Sequence, residues 1–182
     1  MGNLAESLDE YTYEDYESFP EDFRCELIDG VAYMMSAPDV WHQDMLGMIY
    51  RKIGNYLDGK KCKVIMAPFD VRLFPRKDKK DRTVVQPDII IVCDEEKLSD
   101  GKACRGAPDV VIEILSDSTR SHDLNTKKEK YKRAGVSQYI VVGKGMVLNY
   151  LLDEGEYSVT RLVRGEQGAK VSLLPIDFVI DV

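Results

Sequence analysis

Residues 106–119 read GAPDVVIEILSDST, and Glu113 stands in the middle of their apolar run, between Val110, Val111 and Ile112 on one side and Ile114 and Leu115 on the other. Gly106 and Pro108 precede the run, and Ser116, Asp117 and Ser118 follow it. A short apolar run bounded in this way reads as a strand covered on both faces of a sheet. Such a strand buries Glu113. A lone buried carboxylate is costly enough that it is protonated, paired with a cation or bound to a metal. Its partner must come from elsewhere in the chain.

One candidate lies upstream, where VVQPDIIIVC (residues 84–93) opens its own apolar run on Asp88. If the two strands are neighbours, their carboxylates converge on one cation. Two hard oxygen ligands, the Ile114 carbonyl and water suit Mg²⁺ or Mn²⁺, which favour near-octahedral oxygen coordination. A second candidate lies downstream, in a helix expected from about residue 123 to 134 and stopped by Gly135. Leu124, Tyr131 and Ala134 form its apolar stripe, and Lys127 falls roughly 30° from the centre of that stripe. Lys127 therefore points inward, where its ammonium can offset the carboxylates, hold a water or stabilise a developing phosphorane. Blander readings stay open: Asp88 as a strand-start residue after Pro87, Glu113 paired with a core arginine, and Lys127 snorkelling to water.

The rest of the chain supplies a frame for these three. Thr12 caps a short helix that ends before Pro20, and Asp29-Gly30 between apolar runs signals a hairpin. Trp41, Met45, Met48 or Ile49, Ile53 and Leu57 recur at helical spacing. KVIMAPFDVRLF (63–74) and TVVQPDIIIV (83–92) read as strands on either side of the charged turn RKDKKDR (76–82), and QYIVVG (138–143) as another strand. Residues 147–163 read as a hairpin, and 170–180 as a terminal strand or edge. The order predicts a mixed α/β sheet with helices on its faces, in a single domain over residues 1–182.

Composition narrows the function. With 182 residues, 44% of them hydrophobic and 31% charged, the chain suits one domain with a substantial core. Its acidic N-terminus and lack of a long apolar segment predict a cytoplasmic protein. Cys25, Cys62, Cys93 and Cys104 form no Cys-x-x-Cys pair, and only two histidines accompany them, so they read as reduced structural thiols and not a zinc site. Basic residues number 25 against 32 acidic ones, a net charge of −7, which argues against indiscriminate nucleic-acid binding.

Two segments depart from that average. Residues 120–133 hold Arg120, Lys127, Lys128, Lys130, Lys132 and Arg133 against Asp123 and Glu129, a local balance of +4. Residues 76–82 hold five basic and two acidic side chains, or +3. Arg120, Lys128, Lys130 and Lys132 are read as exposed contacts to nucleic-acid phosphates, provided they flank the same cleft. Glu26 in ELIDG and His42 in WHQ are second-rank site candidates, one extending the acidic site and the other orienting a water or a phosphate. Asp70 is expected to be structural, paired with Arg72 or Arg82.

The segments VVQPDIIIV, GAPDVVIEILSDST and DLNTKKEKYKRAGVSQYIVV, with ELIDG, WHQ and APFDVRL before them, resemble the Uma2 (DUF820) family, a branch of the PD-(D/E)XK nuclease superfamily. The likeness extends over roughly residues 12–150. It implies a restriction-endonuclease-like αβββαβ core, with an extra N-terminal helix and hairpin and a C-terminal hairpin. It also implies Asp88 and Glu113 as metal ligands and a catalytic lysine moved from the strand to the following helix, at Lys127 within Asp123, Lys127, Tyr131 and Gly135 at spacing four. Two departures stand out: Asp117 replaces the proline of the Leu-Ser-Pro-Ser-Thr turn, and Leu115 occupies the superfamily's strand lysine position. The expected function is Mg²⁺-dependent hydrolysis of DNA, in a homodimer by analogy with enzymes that cut both strands. Its rivals are an inactive nucleic-acid- or partner-binding module of the same fold and a metal-dependent hydrolase of a smaller phosphoester.

Overall fold

The computed structural model describes residues 10–20, 22–116, 122–164 and 169–182. Thr12 donates its backbone N–H and its hydroxyl to Asp15 Oδ2, at 2.8 and 2.6 Å, and opens the short helix α1 (Tyr13–Tyr16). Asp29 and Gly30, at φ of 51° and 85°, make the tight turn from β1 (Cys25–Ile28) to β2 (Val31–Met34). Asp39 accepts from the His42 N–H at 2.8 Å and caps α2 (Val40–Leu57), which buries Met45, Leu46, Ile49, Ile53 and Leu57.

The two long strands expected around the charged turn each break in two. The first gives β3 (Lys63–Met66) and β4 (Asp70–Arg72), the second β5 (Val84–Val85) and β6 (Ile89–Val92). Pro68 and Pro87 sit at the breaks, and a proline has no N–H to give to a ladder. The halves then join different sheets, because β3 pairs with β6 while β4 pairs with β5. A 3₁₀ turn at Glu95–Leu98 and a short strand β7 (Ala103–Arg105) follow, neither of which the sequence pattern had signalled.

β8 (Val110–Ile114) is buried at every position, as its apolar run predicts. The expected helix over 123–134 is a π-helical turn, His122–Lys127, continued by α3 (Lys128–Ala134), and Gly135 at φ 89° ends it. Then come β9 (Gln138–Val142), the hairpin of β10 (Met146–Asp153) and β11 (Glu156–Val163), and β12 (Lys170–Leu173) and β13 (Phe178–Asp181). The last two form an antiparallel ribbon where a single terminal strand or edge was expected. Pro175 and a left-handed Asp177 (φ 49°) reverse the chain between them.

A mixed six-stranded sheet, in the order β11-β10-β9-β8-β6-β3, lies at the centre, and a second sheet has the order β2-β1-β5-β4-β7. Strands β8 and β9 are parallel, joined through α3. One face of the large sheet, with Ile89, Ile91, Ile112, Ile114, Ile140 and Val142, packs on α2 and the β12-β13 ribbon. The other, with Ile90, Val111, Tyr139 and Val141, packs on Tyr131, Val136 and residues of the second sheet, including Ile28, Val71 and Val85. Among the described residues no helix is long and apolar enough to cross a membrane.

The reading of four reduced cysteines needs correction. Pairing of Lys63 with Val92 sets Cys62 opposite Cys93 just beyond the ladder, their Cα atoms 4.0 Å apart, and the two form a disulfide. Cys25 and Cys104 are free and buried, as read. Thiol titration of unreduced, denatured protein should therefore count two thiols and not four. Closing a loop across 31 residues should stabilise the fold by about 4 kcal/mol over the reduced form, read as a fall in urea midpoint on adding reductant. An unchanged midpoint with four titratable thiols would remove the bridge.

Candidate active site

Antiparallel pairing of Ile89 with Ile112 places Asp88 and Glu113 opposite each other at the end of β6 and β8. The Asp88 N–H donates to Glu113 Oε2 at 3.2 Å, and the Ile114 N–H donates to Asp88 Oδ2 at 2.7 Å, so strand pairing itself orients both carboxylates. Glu113 shares the side of β8 on which Val111 meets Tyr131, because side chains alternate along a strand. From α3 the Tyr131 hydroxyl donates to Glu113 Oε1 at 2.8 Å.

Lys127 reaches the same oxygen. Its Nζ lies 2.6 Å from Glu113 Oε1, 2.9 Å from Glu26 Oε1 and 3.5 Å from Asp123 Oδ1. Both Glu113 and Lys127 are only 4% exposed. Spacing of four from Asp123 through Lys127 to Tyr131 gives the three residues one inward direction across the π-helical turn and α3. Glu26 is held from behind by the Gln86 N–H at 2.8 Å, and His42 Nε2, at the start of α2, lies 3.1 Å from both carboxylate oxygens of Asp88. The partner of Glu113 is therefore Lys127, supported by Tyr131. The buried arginine, Arg72, is bound instead to Asp81 through Nε and Nη2, at 2.8 and 2.5 Å. Asp70 pairs with neither Arg72 nor Arg82 and accepts from Tyr16 and Gln86.

Three carboxylates, Glu26, Glu113 and Asp123, thus surround one ammonium, and a fourth, Asp88, stands beside Glu113. Burial pushes the Glu113 carboxyl well above its usual range; Lys127 pulls it down, but Asp123, Asp88 and Glu26 push it up further. Burial works against the charge on Lys127, yet Glu113, Glu26, Tyr131 and Asp123 outweigh it and hold the ammonium protonated. The hydrogen bond to Asp88 raises His42 against its burial, whereas burial lowers His122. The cluster is short of positive charge. A divalent cation would supply it, and the donor chemistry fits Mg²⁺ or Mn²⁺: the oxygen of Glu113 not used by Lys127 and Tyr131, the Asp88 carboxylate beside it, and the backbone at Ile114. Among the described residues no group of three or more His, Cys, Asp or Glu side chains is disposed around a single metal position. Two carboxylates with water and substrate phosphate completing the shell is the usual Mg²⁺ arrangement.

These residues form the floor of a cleft of about 480 Å³ whose walls include Arg24, Tyr33, Met34, Met66, Gln86 and His122. Asp88, Glu113, Ile114, Lys127, Glu26 and His42 all line it. Of the basic residues nominated from the sequence, Lys128, Lys130 and Lys132 do not, and their exposure needs correction. Lys130 is 7% exposed and bound to Asp29 at 2.5 Å, while Lys132 bridges Glu129 and Glu156 at 3.2 and 3.0 Å. Lys128 is half-buried near the Tyr150 ring. Helical periodicity sets which way these side chains turn, but it does not show the acidic partners that the second sheet and β11 bring to them. In the turn over 76–82, Arg76, Lys79, Lys80 and Arg82 likewise pair with Asp78, Glu17, Glu14 and Glu10, and Asp81 pairs with Arg72. Arg120 and Asp117 lie outside the described residues. Gln86, Tyr33 and His122 were missed, because their place in the site depends on the β1-β2 register and the path of the π-helical turn.

The sequence pattern of the Uma2 family, described as "Putative restriction endonuclease", matches residues 11–182. The chain belongs to the Uma2 family. Uma2 membership supports nuclease chemistry in general terms. Among solved structures, a "putative nuclease belonging to DUF820 from Anabaena variabilis" is similar, with 18% identity, a TM-score of 0.70, and 92% of this chain matched to 91% of that one. At that identity the likeness is one of fold. No curated protein sequence matches the chain.

Proposed function

We propose that this Uma2 protein is a Mg²⁺- or Mn²⁺-dependent endonuclease that hydrolyses DNA phosphodiester bonds. One observation carries the reading: Asp88 and Glu113 face each other across paired strands at the floor of a cleft, with Lys127 Nζ 2.6 Å from Glu113. Asp88, Glu113 and the Ile114 carbonyl would hold the ion, which when bound polarises the phosphoryl group and eases ionisation of water. The protein's own groups do the rest. His42 fixes the Asp88 carboxylate, and the Tyr131 hydroxyl fixes Glu113. Glu26 and Asp123 hold the Lys127 ammonium in the charged form beside the position where negative charge develops on the phosphate. Cutting both strands at one place would take two copies of the site.

A second reading, hydrolysis of a smaller phosphoester, draws support from the ion pairs that occupy Lys130, Lys132 and the 76–82 turn. Supercoiled plasmid, single-stranded DNA and bis(p-nitrophenyl) phosphate, each with Mg²⁺, Mn²⁺ or EDTA, separate the possibilities. The expected result is metal-dependent DNA cleavage that Asp88→Asn abolishes. Cleavage of the small ester alone would move the assignment to the second reading, and inactivity on every substrate with both metals would leave a binding module.

A further inference from the structure

The lining of the cleft is of two kinds: Glu26, Asp88, Glu113 and Lys127 are charged, and Tyr33, Met34, Met35 and Met66 are aromatic or apolar. β-Pairing sets Tyr33 directly opposite Glu26, so the ring rises from the same face of the β1-β2 ribbon as the acidic cluster. Tyr33 is 41% exposed, and its ring lies 4.7 Å from that of His122, tilted by 41°. His122 Nε2 is buried and has no hydrogen-bond partner in the described structure. An exposed aromatic ring braced on one flank by the His122 ring, in a cleft that ends on Asp88 and Glu113, is a stacking surface for a flat group. A nucleobase is such a group.

Charge points the same way. Affinity for duplex DNA comes largely from lysines and arginines free to neutralise phosphates. Here Lys79, Lys80, Arg82, Lys130 and Lys132 are each bound to a carboxylate, and the chain carries a net charge of −7. Arg24, exposed at the rim of the cleft, is placed to meet a single strand's backbone. A base stacked within a duplex presents no free face to Tyr33, whereas an unpaired base does.

Resting on the nuclease reading, we propose that the substrate is single-stranded DNA, entering with one base unstacked onto Tyr33 while the adjoining phosphate reaches Asp88 and Glu113. Stacking of one base on an aromatic side chain changes affinity by roughly ten-fold or more. The test is binding of a single-stranded oligonucleotide carrying one 2-aminopurine, in EDTA so that no cleavage intervenes, competed with the same sequence as duplex. Tyr33→Ala and Tyr33→Trp are compared after circular dichroism shows both folded, which the exposure of Tyr33 on an edge strand favours. Expected are quenching of 2-aminopurine by the parent, at least ten-fold weaker competition by duplex, an affinity loss of roughly ten-fold in Tyr33→Ala, and retention in Tyr33→Trp. Equal competition by duplex, absence of quenching, or an unchanged Tyr33→Ala overturns the proposal. The two readings fail separately. Quenching lost in Tyr33→Ala but without metal-dependent cleavage keeps the stacking site and removes the nuclease, and duplex cleavage indifferent to Tyr33 does the reverse.

Discussion

Lys127→Met is expected to lower the free energy of unfolding by about 3–5 kcal/mol, while Glu113→Gln should change it by about 1 kcal/mol or less. The asymmetry follows from the count of charges in the cluster. Removing the ammonium leaves Glu26, Glu113 and Asp123 buried around a methionine, with their shared cation gone. Removing the Glu113 charge leaves Lys127 still paired with Glu26 and Asp123, and a glutamine oxygen can still accept from Tyr131. It also relieves the repulsion that pushes the Glu113 carboxyl up. Combining the two changes should recover part of the Lys127→Met loss, because the residues share one network.

Activity should not follow stability. Both variants should be inactive; Mg²⁺ or Mn²⁺ should raise the melting temperature of the parent, and that rise should vanish in Glu113→Gln. Urea unfolding at neutral pH, with and without the metals, provides the measurement. Two equally large losses, with no effect of metal on the parent, would make Glu113 and Lys127 a structural ion pair and end the nuclease reading.

This cluster was legible in the sequence because each member leaves a local mark. Glu113 interrupts an apolar run, Asp88 opens another, and Lys127 lies near the apolar stripe of its helix. Strand pairing and the crossover through α3 turned those marks into distances. Local pattern also gave the β1-β2 turn and the stop at Gly135, since a positive φ has a residue preference.

Where partners were distant, pattern was silent. Cys62 and Cys93 meet only through the β3-β6 register, and Lys130 finds Asp29 across 101 positions. The prolines at 68 and 87 were visible, but which sheet each half-strand would join depends on tertiary pairing. A charge sum over residues 120–133 treated every lysine as free, and the fold supplies carboxylates that the sum could not include.

The turn over residues 76–82 shows the same effect in its energetics, and it yields the second large expected change. Asp81 stands in a run of charges that reads as a solvated loop, yet it is 2% exposed and Arg72 only 4%. The Arg72 guanidinium gives Nε and Nη2 to the two oxygens of Asp81, gives Nη2 also to the Arg76 carbonyl at 3.1 Å, and lies 3.9 Å from the centre of the Tyr13 ring. The Arg76 N–H donates back to Asp81 Oδ1 at 3.3 Å, which ties the turn to β4. Asp81→Ala should therefore destabilise the protein by about 3–5 kcal/mol, because it strands a guanidinium beneath Tyr13 and α1. Asp81→Asn, which keeps one acceptor, should lose less. Replacing both Arg72 and Asp81 with leucine removes the stranded charge together with its partner, and should restore most of the loss or exceed it. Neither residue lines the cleft, so cleavage per folded molecule should stay at the parent level in all three variants. Urea midpoints set beside activity measured well below the melting temperature test this, and a loss under about 1 kcal/mol for Asp81→Ala would mean that the Arg72 charge is already met by water.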